Sequence, residues 1–186
     1  MEKLPKELPE LLLGWYAAGH RDLPWRRDRE PYHVWLSEVM LQQTRVEAVR
    51  GYYLRFLAEL PDISALAGCT AIETLDLSGN SISDISVVSG FKQLVDLNVS
   101  SNQITELPQF DADTPLWHVD ISHNQIESLA GLEGNLAVNF IDADYNRIKS
   151  ISKLESCIML VRMNLWDNPV NADEVKQLQD IGILIN

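Results

Sequence analysis

Cysteine is almost missing from this chain: Cys69 and Cys157 are the only two in 186 residues. Two thiols cannot build a disulfide framework, a four-cysteine metal site or an iron–sulfur site. Long apolar runs are missing as well. Residues 11–18 are mostly apolar but fall far short of the roughly 20 residues that span a bilayer, so no membrane contact is expected. Glu7 and Glu10 precede that stretch, which argues against a signal peptide, and a cytoplasmic location is expected. No Gly-, Ser- or Pro-rich linker interrupts the chain. Cations are scarce after residue 59. Residues 60–186 hold six Lys/Arg against eighteen Asp/Glu, whereas residues 1–59 hold nine of each. The whole formal charge of −12 therefore lies in the second part. An acidic segment repels a phosphate backbone, so nucleic acid is not expected as its partner. What remains, 46% hydrophobic and 23% charged residues, is ordinary globular composition in a chain long enough to bury a core.

The second part is a repeat. Asn80, Asn102, Asn124, Asn146 and Asn168 follow one another at intervals of 22 residues. Apolar residues recur around them: Leu75, Leu97, Val119, Ile141 and Met163 five before, and Leu77, Val99, Ile121, Ala143 and Leu165 three before. Ile82, Ile104, Ile126, Ile148 and Val170 stand two after. A fixed period of this size means stacked units, none of which can bury its apolar side alone. The Asn is explained by its place in the turn, where a side-chain amide can bond backbone groups of adjacent units. Cys69 and Cys157 hold the same slot four units apart, roughly 19 Å at a strand spacing near 4.8 Å, too far to bridge.

The pattern LxxLxLxxNxIxxI resembles the leucine-rich repeats, in the short 22-residue class that includes the bacterial internalins. The resemblance covers residues 60–186. It implies an α/β solenoid of about five repeats with a parallel sheet on its concave face and return stretches that are 3₁₀-like or extended. Past Asn168-Pro169 the pattern breaks, and residues 173–181 read as a helix with Asn171 or Asp173 as N-cap and Gly182 at its end. That helix is expected to cap the last rung.

Residues 1–59 read differently. Residues 7–19 look helical, and residues 32–58 support one or two helices broken near Thr44 or Gly51. The stretch from Asp22 to Arg26 (DLPWR), the run from Pro31 through SEVMLQQT to Val49, and YYLRF at residues 52–56 resemble the start of the MutY-type adenine DNA glycosylases. The resemblance runs from about residue 11 to 67. It implies that Glu38 matches the general acid that protonates the adenine leaving group, Gln43 a residue inserted into the DNA stack, and Arg26 a residue of the base pocket. Protonating the base makes it a neutral leaving group. The helix–hairpin–helix, the catalytic aspartate and the iron–sulfur cysteines of that family have no counterpart here, so no activity is expected from Glu38 and no cofactor is implied. The segment L60-P-D-I-S-A-L-A67 satisfies both patterns, which leads us to expect residues 1–59 to act as a helical N-terminal cap on the repeat domain 60–186.

Alternate residues of each repeat strand face away from the core. One such column reads Thr74, Asp96, His118, Phe140, Arg162; the next Asp76, Asn98, Asp120, Asp142, Asn164; a third Ser78, Ser100, Ser122, Asp144, Trp166. Exposed aromatics beside charges mark interaction surfaces. His118, Phe140, Asp142, Asp144, Arg162 and Trp166 are the expected binding patch, flanked by Trp117, His123 and Tyr145, and the expected partner is a protein or peptide of basic character. A merely solvated face is the competing reading. His118, Asp120, His123 and Asp142 lack a recognisable ligand spacing, so no metal site is expected. Two other functional readings stay open: a DNA-repair relative that holds DNA through Arg21, Arg26, Arg27, Arg45 and Gln43, and a chimera without an evolved function. If the first part caps the second, a chain of residues 60–186 melts below the full chain; equal thermal midpoints overturn the capping expectation.

Overall fold

The computed structural model describes residues 10, 11, 13, 14, 19, 22–27, 30–41 and 45–186. The chain divides into two compact units, residues 1–54 and 55–186. Among the described residues no helix is long and apolar enough to cross a membrane.

In the first unit, Pro24–Arg26 is one 3₁₀ turn entered through a proline, whose fixed φ suits that position. Helix α1 spans Pro31–Leu41 and also starts on proline. Helix α2 spans Val46–Glu59, of which residues 46–54 fall in this unit. Arg45 lies outside both helices and Gly51 sits inside α2, while Thr44 is outside the described residues. The described residues of the first expected helix, 10, 11, 13, 14 and 19, are helical. The Trp25 and Tyr53 rings meet edge to face with centroids 5.2 Å apart, and Tyr32 stacks on Trp35 at 5.8 Å. Such pairs add about 1 kcal/mol to the burial of the rings.

The second unit is an open sheet of six parallel strands in sequence order: β1 (Thr74–Asp76), β2 (Asp96–Asn98), β3 (His118–Asp120), β4 (Phe140–Asp142), β5 (Arg162–Asn164) and β6 (Leu184–Ile185). Each strand pairs with the next at a shift of 22 residues, so Leu75, Leu97, Val119, Ile141, Met163 and Ile185 lie in one row. The middle residue of the first five strands is buried. The rows of Leu77, Val99, Ile121, Ala143 and Leu165 and of Ile82, Ile104, Ile126 and Ile148 are buried with them. Period 2 inside each strand and period 22 between strands thus place the core on one side of the sheet and leave the other to solvent.

The asparagines bind this stack together. Asn124 donates from Nδ2 to Val99 O at 3.0 Å in the preceding rung and to Ile121 O at 3.1 Å in its own, while its Oδ1 accepts from Ile104 N at 3.0 Å. Asn102 and Asn146 repeat that pattern, and all three are buried. Asn168 repeats it half-exposed, with Nδ2 on Ala143 O and Leu165 O and Ile148 N on its Oδ1. Asn80 bonds only the local carbonyls of Leu77 and Ser78.

Return stretches form short 3₁₀ helices at Ile63–Gly68, Ser86–Gly90, Ala130–Leu132 and Ser152–Ser156. The stretch after Asn102 forms no helix. It carries Pro108, and Phe110 N donates to Gly131 O at 2.9 Å. A Cβ at Gly131 would lie 2.5 Å from Pro108 O and 2.7 Å from Leu107 Cβ, so this close approach needs glycine. Helix α3 spans Ala172–Asp180, with Asn171 as its N-cap through a 2.8 Å bond from Asp173 N to Asn171 Oδ1. Gly182, at φ 99°, follows the helix end. The expected helix is there, and the repeat continues past it: α3 is the return stretch of the fifth unit, and β6 enters the sheet in unbroken 22-residue register. Glu174 of α3 reaches back to the Ser152–Ser156 turn, accepting from Ile151 N at 2.7 Å and Ser150 Oγ at 2.8 Å. Those donors hold its carboxyl below the usual range.

Asn124→Ala strands Ile104 N in the core, whereas Val99 O and Ile121 O keep donors from Asn102 and Asn146, and an orphaned buried group costs about 1–3 kcal/mol. The expected loss is about 2 kcal/mol, against about 1 kcal/mol or less for Asn80→Ala, because Asn80 only donates to the local carbonyls and Asn102 still serves Leu77 O. Urea unfolding of the two variants measures the difference, and equal losses would refute the account.

Candidate functional site

The exposed face of the sheet carries the three expected columns, and the strand register sets their rows. His118 lies between two carboxylates: its Nε2 is 3.0 Å from Asp142 Oδ2 and its Nδ1 3.4 Å from Asp96 Oδ1. Asp142 also accepts from Asn164 Nδ2 through its other oxygen. Phe140, one row along from His118, receives the Trp117 ring edge to face at 5.6 Å and the Arg162 guanidinium at 5.3 Å from its centroid. A cation over an exposed ring contributes about 0.5–1 kcal/mol. Trp117–Phe140–Arg162 is thus one aromatic and cationic ridge beside a carboxylate row.

Asp120 and Asp142 are partners across β3 and β4, yet they are engaged differently. Asp120 Oδ1 accepts from Ser122 N at 3.0 Å and Ser122 Oγ at 2.7 Å, a turn-closing role shared by Asn98 with Ser100 and Asp76 with Ser78. Asp144 Oδ1 accepts from Trp166 N at 2.6 Å across the rungs. Of the six residues expected in the patch, His118, Phe140, Asp142 and Arg162 form one connected cluster, and Asp144 with Trp166 forms a second in the next column. Asp96 belongs to the first cluster through His118, although the column alone did not single it out. His123 does not approach His118; it stacks on Tyr145 with centroids 4.4 Å apart and an interplanar angle of 12°. Among the described residues no three His, Cys, Asp or Glu side chains are grouped to hold a metal ion.

The stack stands on an unusual backbone. The residue before each repeat asparagine has positive φ: Gly79 (69°), Ser101 (56°), His123 (54°), Tyr145 (55°) and Asp167 (55°). That conformation disfavours an L side chain by on the order of 1–2 kcal/mol. Asp and His tolerate it better than a bulky ring does. The sequence signal was the glycine at the head of this column, which the repeat reading left unused.

Cys69 and Cys157 are both free thiols. Cys157 is buried, its S–H donates to Leu132 O at 3.1 Å, and burial pushes its pKa up. It is a core residue with no reactive character.

In the first unit, Glu38 lies on α1 and Arg26 in the 3₁₀ turn, both exposed. Gln43 and Arg21 lie outside the described residues. Arg27 is held by Asp22 through two bonds, Nη2–Oδ2 at 2.8 Å and Nε–Oδ1 at 3.1 Å, which raise its pKa.

Comparison with known proteins gives each part its own relatives. The family described as Leucine Rich repeats (2 copies) matches residues 58–112. The internalin C2 structure from Listeria monocytogenes is 30% identical, with a TM-score of 0.60 over 68% of this chain and 56% of that one. A second Listeria monocytogenes internalin aligns with a TM-score of 0.57 at 23% identity over 67% of this chain and 37% of its own. The N-terminal region matches the adenine DNA glycosylases of Arabidopsis thaliana, 46% identical over 74 residues, and Rattus norvegicus, 45% identical over 74 residues. These matches take in 36% of this chain, which spans only 12% and 14% of the two enzymes. The chain is a leucine-rich-repeat solenoid in fold, preceded by a segment similar to adenine DNA glycosylases.

Proposed function

We propose that this chain is a non-enzymatic binding scaffold whose exposed sheet face takes a protein segment of basic character. The observation that carries the reading is the juxtaposition on β2–β5 of the Trp117–Phe140–Arg162 ridge with the Asp96, Asp120, Asp142 and Asp144 carboxylates. Rings on a rigid sheet lose little entropy when a partner covers them, and rings of this kind dominate the energetics of interfaces. The carboxylates steer a cationic partner and set its register. The excess of acidic over basic residues in residues 60–186 acts in the same direction.

Random peptides selected on the full chain are expected to be enriched in Lys or Arg next to an apolar residue. Phe140→Ala or Asp142→Asn should weaken the best of them by about tenfold, and binding should fall as salt rises. Selected peptides that ignore both substitutions would remove this face from consideration.

The glycosylase similarity carries a second reading, adenine release from DNA. A flipped base needs a closed pocket, and the general acid of such a pocket works shielded from water. Glu38 is exposed, and the chain spans 12% of the Arabidopsis enzyme. Single-turnover assays on a duplex with adenine opposite 8-oxoguanine are therefore expected to show no release. Release abolished by Glu38→Gln would overturn the scaffold reading.

A further inference from the structure

The rim of the sheet holds a second set of rings that the scaffold reading leaves unused. His123 and Tyr145 stack face to face at 4.4 Å, and Tyr145 is 43% exposed. Trp166, 67% exposed, stands on the neighbouring rung, where Tyr145 N donates to Trp166 O at 2.7 Å. Asp144 precedes Tyr145 in the chain. Its Oδ1 accepts from Trp166 N, and among the described residues its Oδ2 has no donor. Asp167 follows in the same rim column as Tyr145, also at positive φ. A ring stack, an exposed indole and two carboxylates thus lie on neighbouring rungs, and His123, Tyr145 and Asp167 hold a position where the backbone would be most relaxed with glycine, as it is at Gly79. The rings are kept against the local conformational preference, which points to a use for the side chains.

We propose that the His123–Tyr145 stack, with Trp166 and Asp144, is a docking platform for an arginine side chain of the bound segment. A guanidinium is planar. It lies flat on an aromatic face while its edge donates to a carboxylate, here Asp144 Oδ2. Lysine offers a compact charge without that plane and gains less from the same surface. The platform rests on the scaffold reading and names one residue of the segment that the sheet face takes.

The test is isothermal titration of the full chain with a peptide of repeated Gly-Ser-Arg and with its Gly-Ser-Lys counterpart. The arginine peptide should bind roughly threefold or more tightly than the lysine peptide. Tyr145→Gly should remove that preference while leaving the thermal midpoint unchanged or higher, because glycine relaxes the positive φ. Phe140→Ala should weaken both peptides and leave the preference intact. A preference that survives Tyr145→Gly, or none in the native chain, overturns the platform. If Tyr145→Gly lowers the thermal midpoint, Trp166→Ala decides: loss of the preference keeps the platform, and its survival makes the stack a structural closure of the turns. If Asp142→Asn or Phe140→Ala weakens binding and no rim substitution does, the platform fails and the scaffold reading stands. If none of these substitutions matters, both fail.

Discussion

The repeat asparagine is the constraint on which the rest of the second unit depends. Parallel strands three residues long expose most of their polar groups at the turns, and an orphaned amide or carbonyl inside a stack is costly. One amide per rung satisfies an N–H and shares carbonyls with its neighbours. Asn102, Asn124 and Asn146 each donate to a carbonyl of the rung before and one of their own, and each accepts from an N–H of the rung before. Because the acceptors sit on two rungs, the bond network permits a single register. That register aligns the apolar rows into one core and, equally, stacks the exposed residues into columns. The exposed columns are therefore a by-product of the same geometry that makes the solenoid stable.

The turn that positions each asparagine imposes a second demand. The residue before it must take positive φ, and four successive rungs meet that demand with a residue other than glycine. This turns a structural joint into a rim lined with side chains. The sheet interior, with Asp96, His118 and Asp142 bridged across three strands, and the rim, with His123 on Tyr145, are two different surfaces built from one repeat. Their shared features are rings held rigidly and carboxylates beside them, the combination suited to cationic partners.

The first unit belongs to a different chemical tradition. Its similarity to adenine DNA glycosylases is dense, yet what the structure describes of it is helical packing around Trp25, Tyr32, Trp35 and Tyr53. A catalytic residue acts through the pocket that surrounds it, so similarity over a short segment does not by itself carry the activity. Glu38 is exposed on α1.

Much of this architecture was legible in the sequence. Five asparagines at one spacing announced the solenoid, alternation named the exposed columns, and Asn171 with Gly182 bounded α3, because all of these follow from local periodicity and capping preference. The sheet's sixth strand was not legible, since Ile183–Ile185 keep the spacing without an asparagine to mark it. Nor was the close approach of Gly131 to Pro108, two dozen residues away. Side-chain pairing within the candidate site was decided by tertiary structure alone. Columns say which residues share a face, but only distance between rungs and side-chain direction decide that His118 reaches Asp142 while His123 turns to Tyr145. The sequence by itself determined the rungs and their register, because each rung repeats the same local bonding problem. The stacking of rungs decided the surface chemistry, because contacts across them have no local cause.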